Sequence, residues 1–179
     1  IDAVRLDAHE HLVASGDECD LIEGVAHHVV GLFVAHPVGL LTATPIPAAH
    51  EELVTDDDSE RRFLGVILHT GSVTIYHSGD CVPYDGLTDR LRAAKIDVAL
   101  LPVDGRDGYR SRHGVPGNFW IDEAPELCQV AGIPMLVGHH VGLFDFNTVA
   151  PAHLDRAAAM SSTPVRWTRP EPGEWFPTT

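Results

Sequence analysis

The side chains best suited to chemistry are histidines and an aspartate that follow short apolar segments predicted to be β-strands. They are His9 and His11, His50, Asp80, and His139 or His140. Strand ends are positions at which a rigid scaffold can bring ligands from distant parts of a chain together. Imidazole and carboxylate groups together suit zinc, iron or manganese. The spacing therefore indicates a metal site, and His9 and His11 can both reach one ion if the chain turns there.

Predicted strands and helices that could position these groups alternate along most of the chain. Residues 63–69 and 73–77 are rich in β-branched residues and flank Thr70-Gly71-Ser72, which predicts a hairpin that leads to Asp80. Further strands are predicted at residues 1–6, 29–34, 40–46, 97–101, 133–137 and 165–167. Helices are predicted at residues 87–94, 120–131 and 151–160, and a loop at residues 103–118. This mixture predicts one layered α/β or α+β domain over residues 1–179.

The composition is typical of a globular domain with an acidic surface. The 179 residues are 44% hydrophobic and 21% charged, and acidic residues outnumber basic ones by 26 to 12, for a formal net charge of −14. Such a field repels nucleic-acid backbones and anionic membranes, and the basic residues form no run. We therefore expect a small-molecule substrate as the partner, and neither nucleic acid nor a membrane.

Cysteine usage bears on the compartment in which the chain works. Cys19, Cys81 and Cys128 are an odd number at wide spacings, which argues against a disulfide framework. The sequence carries no apparent signal peptide, and no apolar run approaches the roughly 20 residues of a membrane helix. These features predict a location in the reducing cytoplasm.

Seven segments taken together resemble a known family. In order they are "IDAVRLDAHEH", "PIPAAHEE", "VTIYHSGDCVPYDGL", "IDVALLPVDGRD", "GVPGNFWIDEAPEL", "MLVGHHVGLFDFNTVAP" and "EPGEWF". The set resembles the metallo-β-lactamase superfamily, in the branch of L-ascorbate-6-phosphate lactonase-like hydrolases. The resemblance implies an αββα sandwich that here lacks its N-terminal strands. We therefore expect a homo-oligomer, or a partner segment, to cover the sheet that carries residues 1–6.

The resemblance also implies a ligand set for one or two zinc or manganese ions. His9, His11 and His50 would bind the first ion, and Asp80 would bridge to a second ion. The second ion would also be bound by His140, because its spacing to the following residues fits the family pattern better than that of His139. Asp80 and His140 are therefore the predicted catalytic residues.

The first family motif, H-x-H-x-D-H, is altered in this chain. Val13 and Ala14 stand where the motif has aspartate and histidine, and neither can bind a metal. An alternative alignment inserts residues 12–15, so that Asp17 takes the aspartate role and Glu18 replaces the histidine. Either alignment changes the second position, and we expect one ion in preference to two.

Polar residues in the predicted loop at residues 103–118 resemble family residues around the substrate. Arg106, Arg110 and Asn118 are the predicted substrate-binding residues, since guanidinium groups suit phosphate or carboxylate. The alternative is that Arg106 pairs with Asp104 or Asp107 and only braces the loop.

Three functional hypotheses follow. The first is a metal-dependent hydrolase that acts on a small, anionic ester or lactone through metal-bound hydroxide. The second is a degenerate relative with a weakened metal site that serves as a binding or interaction module, which the altered motif favours. The third is a phosphodiesterase of the same superfamily, which the acidic balance disfavours.

Overall fold

The computed structural model describes residues 3–5, 36–38, 41–55, 61–142, 145–171 and 174–177. The strands within these residues are β1 (Ala3–Arg5), β2 (His36–Val38), β3 (Leu41–Pro47), β4 (Leu64–His69), β5 (Thr74–His77), β6 (Val98–Pro102), β7 (Met135–His139), β8 (Arg166–Thr168) and β9 (Trp175–Pro177). The helices are α1 (Leu87–Ala94), α2 (Gly108–Arg112), α3 (Glu123–Ala131) and α4 (Pro151–Met160).

A seven-stranded sheet contains β2 to β8 in the order in which they occur along the chain. Strands β2 to β5 are antiparallel neighbours, whereas β5 to β8 are parallel neighbours. The parallel pairs need crossovers, and these contain α1, then α2 and α3, then α4. Because β3 and β5 are both antiparallel to β4, β3 runs in the same direction as β5. The carboxyl ends of β3, β5, β6 and β7 therefore lie at one edge of the sheet.

Both faces of the central strands β6 and β7 are buried, and successive strand residues point to opposite faces. Tyr76 and Leu101 belong to the core cluster on the face that the helices cover. Their neighbours Ile75 and Leu100 belong to a second cluster on the other face, together with Phe176 of β9. Strand β9, which pairs with β1, therefore packs against the second face of the large sheet. Burial on both faces explains why β6 is an unbroken apolar run.

The α/β class predicted from the sequence is confirmed, and so are the bounds predicted for α1 and α4. Leu87 and Leu91 are buried one turn apart on α1, and Pro151 begins α4. Helix α3 begins three residues later than predicted, with Pro125 in its first turn. Strand β7 lies two residues later than predicted, and the strand predicted at residues 29–34 is outside the described residues.

The prediction of a loop at residues 103–118 was wrong in one respect, because this segment contains α2. The side chain of Asp107 accepts hydrogen bonds from the backbone N–H groups of Tyr109 and Arg110, at 2.8 and 2.9 Å. An aspartate in this capping position satisfies donors that have no partner within the helix. In the described part of the chain, no helix combines the length and apolar character needed to cross a membrane.

Candidate functional site

Three of the predicted metal ligands lie at the carboxyl edge of the sheet. His50 follows β3, Asp80 follows β5 and His140 follows β7. Nε2 of His140 lies 2.8 Å from Oδ1 of Asp80, and Nε2 of His50 lies 3.9 Å from Oδ2. Two imidazole rings therefore face the two oxygens of one carboxylate, whose side chain is 43% exposed.

The backbone adopts unusual conformations where the chain leaves these strands. His140 has φ of 62° and Glu51, which follows His50, has φ of 69°. Both values lie in the left-handed region, which non-glycine residues adopt at a cost. Gly79, with φ of 65°, turns the chain just before Asp80 without that cost. Left-handed conformations thus turn the chain at or beside all three ligands.

Hydrogen bonds around Cys81 connect the segments that carry His50 and Asp80. The buried Sγ of Cys81 accepts from the N–H of Ala49 at 3.4 Å and donates to the carbonyl of Val82 at 3.2 Å. The N–H of Val82 donates back to the carbonyl of Ala49 at 2.9 Å. Burial raises the pKa of the Cys81 thiol to about 12, so it is protonated at neutral pH.

The environments of His50 and Asp80 control their protonation. The ring of His50 lies edge-on to Phe63, with 4.6 Å between centroids. Burial lowers the pKa of His50 below its usual value, although the Asp80 carboxylate opposes this change. Burial raises the pKa of Asp80, but the hydrogen bond and the charge of His140 outweigh it, and the pKa is lowered. A neutral His50 and an ionised Asp80 are the forms that bind metals.

Asp104 follows β6 and forms a buried polar cluster beside His140, which the sequence did not indicate. Its side chain is fully buried, and Oδ1 lies 3.7 Å from Nδ1 of His140. Oδ1 accepts from Nδ2 of Asn118 at 3.0 Å, and Oδ2 accepts from Nη1 of Arg110 at 3.2 Å. Burial raises the pKa of Asp104, and His140, Asn118 and Arg110 oppose that rise.

The predicted substrate-binding residues are all engaged within the protein. Arg106 makes two hydrogen bonds of 2.7 Å to the carboxylate of Glu123, rather than pairing with Asp104 or Asp107. Arg110 instead pairs with both of those aspartates, through Nη1 to Asp104 and Nε to Asp107. That Arg106, Arg110 and Asn118 bind a substrate stays a prediction.

A stacked pair of buried histidines was also missed by the sequence reasoning. The rings of His77 and His139 lie 4.9 Å apart at an interplanar angle of 26°. Burial holds the pKa of His139 well below its usual value, so its imidazole is neutral. Within the described residues, its Nε2 has no hydrogen-bond partner. Alternation along β5, which places Ile75 toward the second face, was the available signal that His77 also points inward.

The imidazole nitrogens of His50 and His140 and the carboxylate of Asp80 are donor types that bind metal ions. Two ligands of one tetrahedral zinc ion lie about 3.3 Å apart, given metal–ligand distances of about 2.0–2.1 Å. The separations of 2.8 and 3.9 Å from Asp80 to His140 and His50 lie on either side of that value. The described residues by themselves contain no group of three or more ligands able to hold a metal. The other predicted ligands, His9, His11 and Asp17, lie outside the described residues.

A family model matches most of the sequence. The model of the "Beta-lactamase superfamily domain" matches residues 3–141, which is more than half of the chain. No curated protein sequence matches this chain.

Several solved structures are similar to this fold. Igni18, a novel metallo hydrolase from the archaeon Ignicoccus hospitalis, has a TM-score of 0.61 at 18% identity, over 82% of this chain and 58% of that chain. The isothiocyanate hydrolase from Delia radicum gut bacteria has a TM-score of 0.62 at 16% identity, over 82% and 57%. A possible metal-dependent hydrolase from Veillonella parvula has a TM-score of 0.64 at 13% identity, also over 82% and 57%. The chain thus spans under two thirds of the length of these proteins, and the likeness concerns the fold.

Proposed function

This chain belongs to the metallo-β-lactamase superfamily, and from that premise we propose that it is a metal-dependent hydrolase of a small ester or lactone. The observation that carries the proposal is the convergence of His50, Asp80 and His140 at the carboxyl edge of the sheet. The similar structures support it, since all three are named as hydrolases, one of them as a metallo hydrolase and one as a possible metal-dependent hydrolase. The lactone preference rests on the resemblance of the sequence motifs alone.

The residues that would hold a divalent ion are His50, Asp80 and His140, together with His9 and His11. A bound ion would lower the pKa of water to roughly 7 and polarise a carbonyl oxygen. We propose zinc or manganese, because imidazole suits the first and carboxylate suits the second. Asp17 is the candidate for completing a second position.

Asp80 and His140 would assist the attack of water on the substrate. Asp80 is ionised and 43% exposed, so its carboxylate can orient water or accept a proton from it. Nε2 of His140 lies against the same carboxylate, and where no ion is bound to it, this nitrogen can stabilise negative charge that develops on the substrate. The neighbouring Cys81 is buried with a strongly raised pKa, which makes it a poor nucleophile.

A metal and activity assay tests this proposal. The purified chain is analysed for zinc and manganese and assayed against a panel of lactones, carboxylic esters and phosphodiesters, each with an anionic and a neutral member. We expect bound metal and hydrolysis of lactones or esters, both lost in the His50→Ala and Asp80→Ala variants. The matched control is His153→Ala, which removes an exposed imidazole from α4.

Other outcomes would contradict the proposal in distinct ways. Absence of both metal and hydrolysis would favour the alternative, a binding module that keeps the fold. Hydrolysis of phosphodiesters without lactones or esters would identify the phosphodiesterase alternative. Full activity of Asp80→Ala would exclude the assigned site.

A further inference from the structure

The carboxylate of Asp104 lies between the candidate ligand His140 and two polar side chains of the loop that follows β6. Each of its oxygens is engaged, Oδ1 by Asn118 and by the ring of His140, and Oδ2 by Arg110. Nη2 of Arg110 also donates to the backbone carbonyl of Asp104 at 2.9 Å. This cluster is buried, since the side chains of Asp104 and Arg110 are 0% and 9% exposed.

Asn118 connects this cluster to the other candidate ligand segment. Its Oδ1 accepts from the backbone N–H of Cys81 at 3.0 Å, next to Asp80, while its Nδ2 donates to Asp104. Asn118 is only 2% exposed, so its amide has little surface left for a substrate. One side chain thus links the backbone beside Asp80 to the carboxylate beside His140.

We infer that Asp104, held by Arg110 and Asn118, is a positioning residue that orients the His140 ring toward the ion. This inference rests on the proposed function. It gives Arg110 and Asn118 the role of holding Asp104 beside the metal site. The sequence instead predicted that these two residues bind the substrate. The separation of 3.7 Å from Nδ1 of His140 is longer than a hydrogen bond, so the carboxylate acts on the ring through its charge.

The position of Asp104 relative to His140 explains why this contact affects the ion. Nδ1 of the ring faces Asp104, and Nε2 faces Asp80, so the two nitrogens point to different carboxylates. A carboxylate beside the nitrogen that does not bind the metal fixes the tautomer and the ring orientation and makes the other nitrogen more basic. Arg110 in turn fixes Asp104, and Nη1 of Arg110 also donates to Oδ1 of Asn147 at 2.8 Å.

The test compares Asp104→Asn with Asp107→Asn in the full chain. Both changes remove one negative charge that contacts Arg110, but Asp107 is 46% exposed, whereas Asp104 is buried and lies 3.7 Å from His140. Asparagine also caps helices well, so α2 keeps its cap in the control. In Asp104→Asn, the NH₂ group of the new amide must face one of the two groups that donate to Asp104. It faces Arg110 in one orientation of the amide and Asn118 in the other.

The readouts are Zn²⁺ affinity, by competition with a chromophoric chelator, and the visible spectrum of the Co²⁺-loaded protein. We expect Asp104→Asn to weaken Zn²⁺ binding by about 10- to 100-fold, the range for losing such an outer partner. Its Co²⁺ spectrum at saturation should differ from that of the parent chain. Asp107→Asn should match the parent chain in both measurements. Circular dichroism and an unfolding curve establish that each variant is folded at the assay temperature.

A second variant keeps the inference testable if Asp104→Asn does not fold. Asn118→Ala removes the donor to Oδ1 of Asp104 and should weaken Zn²⁺ binding in the same direction. Unchanged Zn²⁺ affinity in both folded variants would overturn the inference and leave the proposed function intact. A raised KM at unchanged Zn²⁺ affinity would overturn it in favour of a substrate role. A parent chain that binds neither Zn²⁺ nor Co²⁺ would overturn the proposed function and the inference with it.

Discussion

At the scale of single residues, neighbouring side chains of the same type have different roles because their surroundings differ. His139 ends β7, is buried against His77 and is held neutral by that burial. His140, the next residue, has φ of 62°, and its ring lies against Asp80. A change of backbone conformation over one residue therefore separates a buried imidazole from a candidate ligand.

Cys81 provides a residue-scale prediction about the nucleophile. Cys81→Ser keeps an atom that can accept from Ala49 and donate to Val82, so hydrolysis and metal content should change little. Cys81→Ala leaves the buried N–H of Ala49 unsatisfied, and should lower the free energy of unfolding by about 1–3 kcal/mol. Denaturant unfolding and kcat/KM are the measurements. Loss of hydrolysis in Cys81→Ser at unchanged metal content would indicate a thiol nucleophile.

At the scale of elements, the segment between β6 and α3 is held by close packing and by ion pairs. Gly105 has φ of 72°, and a Cβ at this position would lie 2.6 Å from the Trp120 ring. Arg106 reaches Glu123 at the start of α3 and also donates to the carbonyl of Asn118 at 2.9 Å. These contacts keep the segment that carries Asp104 and Asn118 close to the sheet edge.

Gly105→Ala tests how much this packing contributes. Gly114 has the same φ of 72° but open space where a Cβ would lie, so Gly114→Ala measures the backbone cost alone, about 1–2 kcal/mol. Gly105→Ala adds a steric clash with Trp120, and we expect an additional loss of about 1–3 kcal/mol. Unfolding in urea, followed by tryptophan fluorescence, measures both. Equal losses in the two variants would show that Trp120 moves aside freely.

The ion pair between Arg106 and Glu123 predicts a pH dependence of stability. Burial raises the pKa of Glu123, but hydrogen bonds from Arg106 and from the Trp120 N–H outweigh it, and the pKa lies below the usual 4.5. The stabilisation is therefore complete above pH 4.5 and is lost as the pH falls through the lower pKa of the folded protein. The side chains are 35% and 28% exposed, so we expect only about 0.5–1 kcal/mol.

The measurement compares the parent chain with Glu123→Gln. At pH 7 the variant should have the lower free energy of unfolding, and the difference should shrink as the pH is lowered below 4.5. Glu126→Gln is the control, because this exposed residue of α3 makes no ion pair among the described residues. A difference that stays constant with pH would contradict the assignment.

At the scale of the whole molecule, the proposed ion would connect segments that are far apart in sequence. His50, Asp80 and His140 follow three different strands, and His9 and His11 lie a further 39 residues or more before His50. Such an ion binds only the folded chain tightly, since the ligands are dispersed when the chain unfolds. Folding and metal binding are therefore linked.

This linkage predicts that metal removal lowers stability. Free Zn²⁺ at about 100 times its Kd should stabilise the parent chain by about 2.7 kcal/mol relative to the chelated protein. The Asp80→Ala variant should show a much smaller change. Thermal unfolding with a zinc buffer and with chelator tests this, and the zinc-to-protein ratio tests the expectation of one ion. An identical Tm with and without zinc would contradict the linkage.

The sequence alone determined the class of the fold and three of the residues that meet at the site. Alternating and unbroken apolar runs identified most strands, and Pro151 and the spacing of Leu87 and Leu91 identified two helices, because these signals are local. His50 and Asp80 were predicted because each follows a recognisable strand, and His140 was preferred to His139 because its spacing fits the family pattern. Cytoplasmic location, oligomeric state and the lactone substrate stay predictions.

Only the tertiary structure decided which side chains engage one another. Asp104, Arg110 and Asn118 lie in one segment whose polar composition is equally consistent with a solvated loop. Their engagement with His140 and with the backbone of Cys81 depends on β6 lying between β5 and β7. Likewise, the choice of Glu123 as the partner of Arg106 depends on where α3 begins. Pairing between distant segments follows from strand order, which no local pattern of residues specifies.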